Sequence, residues 1–385
     1  MMASADLAGG VRVIAIYAKA LARMGHVVRV VSPPAAISFR GKFKSWLAGK
    51  GWPNYPLPSA SHIDDEEIDH HLLDRWRPVT NDDVPDADIV IATWWETAEW
   101  VYRLAPQKGA KVYFVQHHEV FSYLPVERCR ATYLLPLHKI AVAQWLRNVM
   151  SAEYGDNVVD LVPNSVDHAQ FFAPIRDQQG VPTVGFMYSP AEFKGVDVVF
   201  EALKLLRKRF PNLRVLAFGS HSPTQNLPLP AGVEFFRSPA QHQIRELYAQ
   251  CDVWITASRS EGFNLPAMEA MACRAPVVAT RTGWPEEAVK SGINGVLVEI
   301  DDPDGIAEGT QWVLTRNAVQ WRELSDNAYA TATAGSWQES AKMFEEALMH
   351  ACERSARGEI AGGYVTQCAN NVPATEANGT IRVSR

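Results

Sequence analysis

The stretch SRSEGFNLPAMEAMACRAPVVAT, Ser258 to Thr280, decides how this chain is read. It follows CDVWITA, Cys251 to Ala257, an apolar run whose length and β-branched content predict a strand. Pro266 suits an early helical position, so PAMEAMA opens a helix, and PVVAT, Pro276 to Thr280, is a second strand. Strand, loop, helix and strand make one βαβ unit. In such a sheet, ligands bind beyond the carboxyl ends of the strands. SRSEGFNLP is therefore an exit loop on the binding side, with Glu261 in the loop, Glu269 in the first turns of the helix, and both expected to face the crevice. Backbone N–H groups there suit a diphosphate or sugar hydroxyls, and carboxylates accept hydrogen bonds from hydroxyls. For a lone Glu the plainer account is that an acid near a helix N-terminus complements the dipole, worth about 0.3–1 kcal/mol.

The same alternation extends outward. From Pro182 onward, TVGFMY, LRVLAFG, GVEFF, DVWITA, PVVAT and GVLVEI alternate with the helix-period segments VDVVFEALKLLRKRF, QHQIRELYAQ and PAMEAMA. That predicts an α/β chain with a parallel sheet covered on both faces. The first half repeats the rhythm more loosely: VVRVVS, DIVIAT, KVYFVQ and NVVDLV read as strands, and Val11–Met24, Trp95–Leu104 and Gln144–Ser151 as helices. Two doubly wound domains follow, 1–172 and 173–335, parted near FFAPIRDQQGVP, where Gly, Pro and Gln break both periods. Residues 336–357 read as a long helix capped by Ser336, apolar at Ala341, Phe344, Ala347 and Leu348. The remainder, 358–385, has no period and is expected to be disordered.

Composition excludes several classes. A formal charge of −6 over 385 residues gives no global field for nucleic acid or an anionic membrane. The five cysteines, Cys129, Cys251, Cys273, Cys352 and Cys368, are scattered and never spaced C-x-x-C, which points away from disulfides and zinc and toward a reduced, cytoplasmic protein. MMASADLAGG has no basic n-region or apolar core, and no run of eighteen apolar residues occurs, so neither export nor a membrane span is expected.

The opening stretch is similar to the E-x7-E signature of the retaining, GT-B-fold glycosyltransferases of family 4, seen there as EGFGLPxLEAMAxGxPVV. Glu261, Gly262, Phe263, Leu265, Pro266, Glu269, Ala270 and Met271 fall in register. VPNSVDHAQFFAP resembles that family's V-x-N-G-V-D-x-x-x-F-x-P junction, FKGVDVVFEALKLL its K-G segment, and TGWPEEAVKSGINGVLVE its G-G-x-P-E stretch. The resemblance covers nearly everything from Gly9 to about residue 355. It implies the GT-B fold, a terminal helix crossing back to the N-terminal domain, and transfer of a hexose from a nucleotide diphosphate sugar, with retention, to a saccharide or lipid-linked saccharide in cell-surface polysaccharide assembly. The nucleotide sugar is then a co-substrate; neither a cofactor nor a metal is implied.

Carried over residue by residue, Glu269 is the acid on the nucleotide ribose and Glu261 the acid near the donor sugar. Gly262, Phe263, Asn264 and Leu265 line the sugar and phosphate pocket, and Lys194 is the lysine on the diphosphate. The family usually carries Arg five residues before that Lys; here Ser189 stands there, and Arg259, beside Glu261, is the candidate to replace the missing charge. Ser165 and Thr282 also stand where the family has Gly. In the N-terminal half, Gly9 and Gly10 resemble the family's glycine loop, letting backbone approach donor phosphate or acceptor. Gln116, His117 and His118 end a strand where family members present a His to the donor sugar; His117 is preferred, and a metal site lacks a nearby third ligand.

Other segments have two readings. SFRGKFKSWLAGKGW interleaves Arg40, Lys42, Lys44 and Lys50 with Phe39, Phe43, Trp46, Leu47 and Trp52. Residues 39–52 suit either a phospholipid surface at the inner face of the membrane or an amphipathic loop with buried tryptophans. The D-x-D at Asp86–Asp88 precedes its strand, so it lies at the wrong end of the sheet for a metal–diphosphate site. Val11–Met24 is a helix with no strand before it, although a doubly wound domain starts on one; the sequence predicts a native chain about ten residues longer at its start, with an apolar β-type run. The rival functions are a nucleotide-sugar epimerase or phosphorylase on the same fold, and a non-catalytic sugar-nucleotide-binding partner.

Overall fold

The computed structural model describes residues 1–3, 8–34, 47 and 61–363. The basic–aromatic segment 39–52 lies outside the described residues apart from Leu47, which is exposed. The chain forms two compact units: Met1–Pro163 together with the chain from Ala341 onward, and Asn164–Ser340. The predicted division at 172/173 thus falls inside the second unit. The reason is local packing: the Phe171 ring lies 6.1 Å from that of Tyr248, and the Arg245 guanidinium sits 4.4 Å over Phe172.

In the first unit, α1 (Gly9–Arg23) precedes β1 (Arg29–Ser32), β2 (Asp69–Leu72) and β3 (Ile89–Ala92). Then come α2 (Trp95–Arg103), β4 (Ala110–Val115), α3 (Val126–Tyr133), β5 (His138–Ala141), α4 (Gln144–Tyr154) and β6 (Val159–Leu161). β3-β4-β5-β6 form one parallel sheet and β1-β2 another. Between them lie Met1 and Met2: Met2 N donates to Val31 O at 3.1 Å, the Met1 amine to Ile91 O at 2.5 Å, and Thr93 Oγ1 to Met1 O at 3.0 Å. Helix α1 buries Val11, Val13, Ala15, Tyr17, Ala18 and Leu21. It also begins earlier than predicted, which corrects the reading of Gly9 and Gly10 as a loop: they form the first helical turn, closed by Arg12 N to Ala8 O at 3.1 Å, and neither has positive φ.

The terminal helix, Trp337–Ala356, starts with Ser336 Oγ accepting from Glu339 N at 3.2 Å, and buries Ala341, Phe344, Ala347 and Leu348. Phe344 stacks on Tyr17 at 4.3 Å and meets Phe114 edge-on at 5.0 Å. The helix is also tied down by polar groups. His138 Nε2 and His350 Nδ1 each lie 2.9 Å from Asp160 Oδ2, and the three ligand-type atoms fall within 4.8 Å of one another, a spacing that also suits a metal. A guanidinium, however, can only donate. Arg354 Nη1 stands 3.1 Å from His138 Nδ1, so the neutral ring carries its proton on Nε2, aimed at Asp160. The cluster is a hydrogen-bonded lock between helix and sheet.

The predicted disorder from 358 onward needs correction for its first residues. Ile360 is buried, Ala361 N donates to Pro136 O at 2.7 Å, Lys111 N to Ala361 O at 3.2 Å, and Gly363 N to Pro106 O at 2.9 Å. Backbone pairing, which leaves no hydrophobic period, holds this segment. Among the described residues no helix is long and apolar enough to cross a membrane.

The second unit contains β7 (Thr183–Met187), α5 (Val196–Arg209), β8 (Arg214–Gly219), β9 (Val233–Arg237), α6 (Gln241–Ala249) and β10 (Val253–Thr256). It continues with α7 (Leu265–Ala272), β11 (Val277–Thr280), α8 (Trp284–Ala288), β12 (Gly295–Val298), α9 (Pro303–Leu314) and α10 (Ala318–Ala332). Its parallel sheet has the order β12-β11-β10-β7-β8-β9. The chain runs outward from β7 to β9, then returns to β10 and runs the other way, so the topological switch point lies between β7 and β10. Val184, Phe186, Val253 and Ile255 pack with Leu203, Leu206, Val313 and Trp321 on one face.

In the first unit the carboxyl end of β4 is held by Glu119, 2% exposed. Its Oε2 accepts from Trp95 N at 2.7 Å, at the start of α2, and from the Tyr113 hydroxyl at 3.1 Å. Its own N–H donates to the Tyr133 hydroxyl at 2.8 Å. Burial pushes the Glu119 carboxyl up to about 8 from the ordinary 4.5. A raised folded value means stability that is full below the unfolded value and is lost as pH rises through the folded one. Glu119→Gln, an isostere of the protonated acid, is expected to remove this loss. Thermal unfolding between pH 5 and pH 8 checks it: the difference in stability between wild type and variant should change by about 1.4 kcal/mol per pH unit at most, and parallel curves refute the assignment.

Candidate active site

Two glycines set the shape of the loop after β10. Lys194 ends a short 3-10 turn, Glu192–Lys194, and Gly195 follows with φ +60° before α5 begins. A Cβ on Gly195 would stand 1.9 Å from the Ala257 carbonyl oxygen, so only glycine lets this turn lie against the exit of β10. Arg259 N then donates to Phe193 O at 2.7 Å. From the other side, Gly283, φ +65°, brings α8 against the loop, where a Cβ would meet Glu261 Cβ and Phe263 O at 2.8 Å. Trp284 N donates to Phe263 O at 2.7 Å, and the Phe263 and Trp284 rings stack at 5.8 Å. Thr282, standing where the resembled pattern has Gly, accepts at Oγ1 from Glu261 N at 3.0 Å.

Held this way, Glu261 is 6% exposed, and its Oε1 receives Lys194 Nζ and Ser258 Oγ, each at 2.7 Å. These three side chains, with Thr256, Asn264 and Pro266, line a cavity of about 20 Å³ that also touches Phe186, Met187 and Val199. That is room for one or two waters. The cavity lies at the carboxyl ends of β7 and β10, the switch point of the sheet. Asn264 is the N-cap of α7: its side chain accepts from Ala267 N at 3.3 Å and donates through Nδ2 to Thr256 Oγ1 at 2.9 Å. Gly262 is buried in the same loop, and Leu265 opens the helix.

The second carboxylate sits apart. Glu269, also 6% exposed, accepts at Oε2 from the Tyr248 hydroxyl on α6 at 3.0 Å and is not among the residues lining this cavity. Arg259 is engaged elsewhere too. It holds Asp197 through both Nη atoms, at 3.1 and 2.7 Å, Asp301 at 2.6 Å and the Glu192 carbonyl at 2.6 Å. Two aspartates distant in sequence thus pair with Arg259, as Glu261 pairs with Lys194. Ser189 Oγ accepts from Ala191 N at 3.3 Å within its own turn.

In the first unit, Gln116, His117 and His118 follow β4. A Cβ on Gly10 would lie 3.5 Å from Gln116 Oε1, so the glycine of α1 passes beside this side chain. The two histidines differ. His118 Nε2 lies 2.7 Å from the Tyr154 hydroxyl, its ring packs on Tyr133, and burial pulls its pKa down to about 4. His117 donates from Nδ1 to the His118 carbonyl at 3.0 Å, and its ring lies 4.8 Å from Phe121. Sequence reasoning did not name Thr256, Ser258, Tyr248 or Glu119; the signals were the hydroxyls ending the strand run at Thr256 and Ser258, and an acid directly after QHH.

Residues 170–332 match the family model described as Glycosyl transferases group 1, a span containing the whole second-unit cavity. A D-inositol 3-phosphate glycosyltransferase of Corynebacterium urealyticum is 30% identical over 189 residues, 44% of each chain. One of Geodermatophilus obscurus is 35% identical over 144 residues, 36% of this chain and 31% of the relative. The chain thus spans less than half the length of these relatives. Among solved structures, a sucrose-phosphate synthase of Thermosynechococcus elongatus aligns over 91% of this chain and 98% of its own, with 16% identity and a TM-score of 0.66. Anabaena HepE, solved with UDP and glucose, covers 91% and 99%, with 18% identity and a TM-score of 0.64. This likeness shows the GT-B fold, and the family match over residues 170–332 is to the glycosyl transferases group 1 model.

Proposed function

We propose that this chain is a retaining hexosyltransferase that moves a sugar from a nucleotide diphosphate donor to a saccharide or lipid-linked saccharide in cell-surface polysaccharide assembly. The observation that carries the reading is the Lys194–Glu261–Ser258 cluster at the switch point of the sheet, within the span matching the group 1 model. A cation and a buried acid on one small cavity suit a substrate with both a diphosphate and hydroxyls. On donor binding, Lys194 exchanges part of its contact with Glu261 for the diphosphate and stabilises the leaving group, while Glu261 accepts from a sugar hydroxyl. Glu269, at the Tyr248 hydroxyl, takes the ribose. His117 serves the donor sugar from its fixed tautomer, with the Nδ1 proton committed to a carbonyl. This is electrostatic preorganisation without a protein nucleophile. Because Lys194 and backbone N–H groups supply the positive charge, the reaction is metal-independent. Incubation with a panel of nucleotide sugars, scored by thermal shift and then by turnover and anomeric configuration, tests the reading; binding of none, or inverted product, sinks it.

Lys194→Ala should lower turnover by about 100-fold or more, since a cation near 4 Å from a diphosphate is worth up to about 4 kcal/mol at an effective dielectric near 20. Unchanged kcat/KM removes Lys194 from the mechanism. Glu269→Gln should weaken binding of the bare nucleoside diphosphate more than Glu261→Gln does, because the ribose is common to nucleotide and donor; equal losses by calorimetry contradict the division of roles. Activity should persist in excess EDTA, and loss restored by a divalent ion refutes metal independence.

A further inference from the structure

We infer that Tyr248 is a positioning residue of the nucleotide site: its hydroxyl fixes the Glu269 carboxylate in the orientation that receives the ribose hydroxyls, and thereby sets how strongly the protein prefers nucleotides that carry those hydroxyls. This rests on the ribose reading of Glu269 above and adds the residue through which it works. Two helices meet at this contact. In α7 every residue from Ala267 to Ala272 is buried, so that stretch has no wet face from which a Glu could reach solvent. A carboxylate held there needs a donor from a neighbouring element. In α6 the stripe Ile244, Leu247 and Tyr248 turns inward, and its last member carries the donor: the Tyr248 hydroxyl donates to Glu269 Oε2 at 3.0 Å.

The phenol is itself immobile. Tyr248 is 0% exposed, and its ring meets Trp254 edge-on at 4.6 Å, Phe218 at 5.5 Å and Phe171 at 6.1 Å. Walls from β10, β8 and the segment before β7 hold the ring, so the hydroxyl stays where the ring puts it. A Glu side chain turns about several bonds, and ordering such a side chain on ligand binding costs up to about tenfold in affinity. Here the ordering is done before a ligand arrives. An ionised carboxylate accepts from several donors at once, so the phenol and the ribose hydroxyls act on it together. Tyr248 acts only through Glu269.

The test is calorimetry on the full chain with UDP, GDP, ADP and dTDP, each beside its 2′,3′-dideoxy form. Wild type should bind at least one of these nucleotides and prefer it over its dideoxy form by about tenfold or more. Tyr248→Phe keeps the ring and removes the hydroxyl. It should weaken that nucleotide by about tenfold while the dideoxy form binds as before, so the preference falls to within about threefold. A purely structural role would weaken both forms alike; that result overturns the inference, as does a preference left intact. Glu269→Gln is the reference: adding Tyr248→Phe to it should change no affinity by more than about threefold. A larger further loss shows Tyr248 acting by another route and overturns the inference, even where thermal unfolding finds the single Tyr248 variant poorly folded. Failure confined to the Tyr248 variants leaves the ribose reading standing. A wild type that binds both forms equally, or none of the four nucleotides, overturns that reading and the inference with it.

Discussion

The approach of Gly195 to the Ala257 carbonyl is the constraint on which the second unit's cavity depends. With no Cβ at 195, the turn ending in Lys194 lies directly on the exit of β10, and Phe193 O can take the Arg259 N–H. Lys194 Nζ then falls within 2.7 Å of Glu261, although 67 residues separate them. The same close approach lets α5 start at Val196, where a left-handed glycine directs the chain into the helix. Gly283 repeats the device from the opposite side, pressing α8 on the loop that carries Glu261. Two residues without side chains bring the charged ones together.

Buried polar groups elsewhere obey the same economy of partners. Asp252, 1% exposed, accepts from Gln179 N at 2.7 Å and Thr183 N at 2.8 Å, so it fastens the entry to β7. Its own carbonyl receives the Trp321 indole at 3.1 Å. Burial pushes its carboxyl up to about 6, and the backbone donors oppose that shift. Lys111 caps the end of α2 by donating to Tyr102 O at 2.7 Å and Leu104 O at 2.5 Å. Asp252 and Lys111 each close backbone groups that strand or helix ends leave open.

The sequence makes some of this legible and hides the rest for physical reasons. KVYFVQ and DVWITA declare themselves as strands because burial on both faces demands continuous β-branched and apolar residues. HKIA does not, since His138 and Lys139 are buried only because Asp160 and Asp156 meet them from later in the chain. DHHL is hidden because it is an exposed edge strand, with no apolar face to show. At the site, Lys194, Glu261 and Asn264 stand out through a motif. Thr256, Ser258 and Tyr248 do not, because their contacts arise from the backbone path. The partners of Arg259 are hidden too, since Asp197 and Asp301 lie 62 and 42 residues away.

The terminal helix has a consequence for the order in which the chain becomes structured. It belongs to the first unit, where Phe344 completes the packing around Tyr17, and His26 bonds Glu345 at 2.6 Å across 319 residues. The second unit is an uninterrupted segment, Asn164–Ser340, whose strands β7–β12 and helices α5–α10 all precede Ala341, where the helix passes to the first unit. During synthesis, which proceeds from the N-terminus, the unit begun first is therefore finished last. Until residue 344 leaves the ribosome, the apolar face of α1 and the Phe114 side of the sheet wait without their cover.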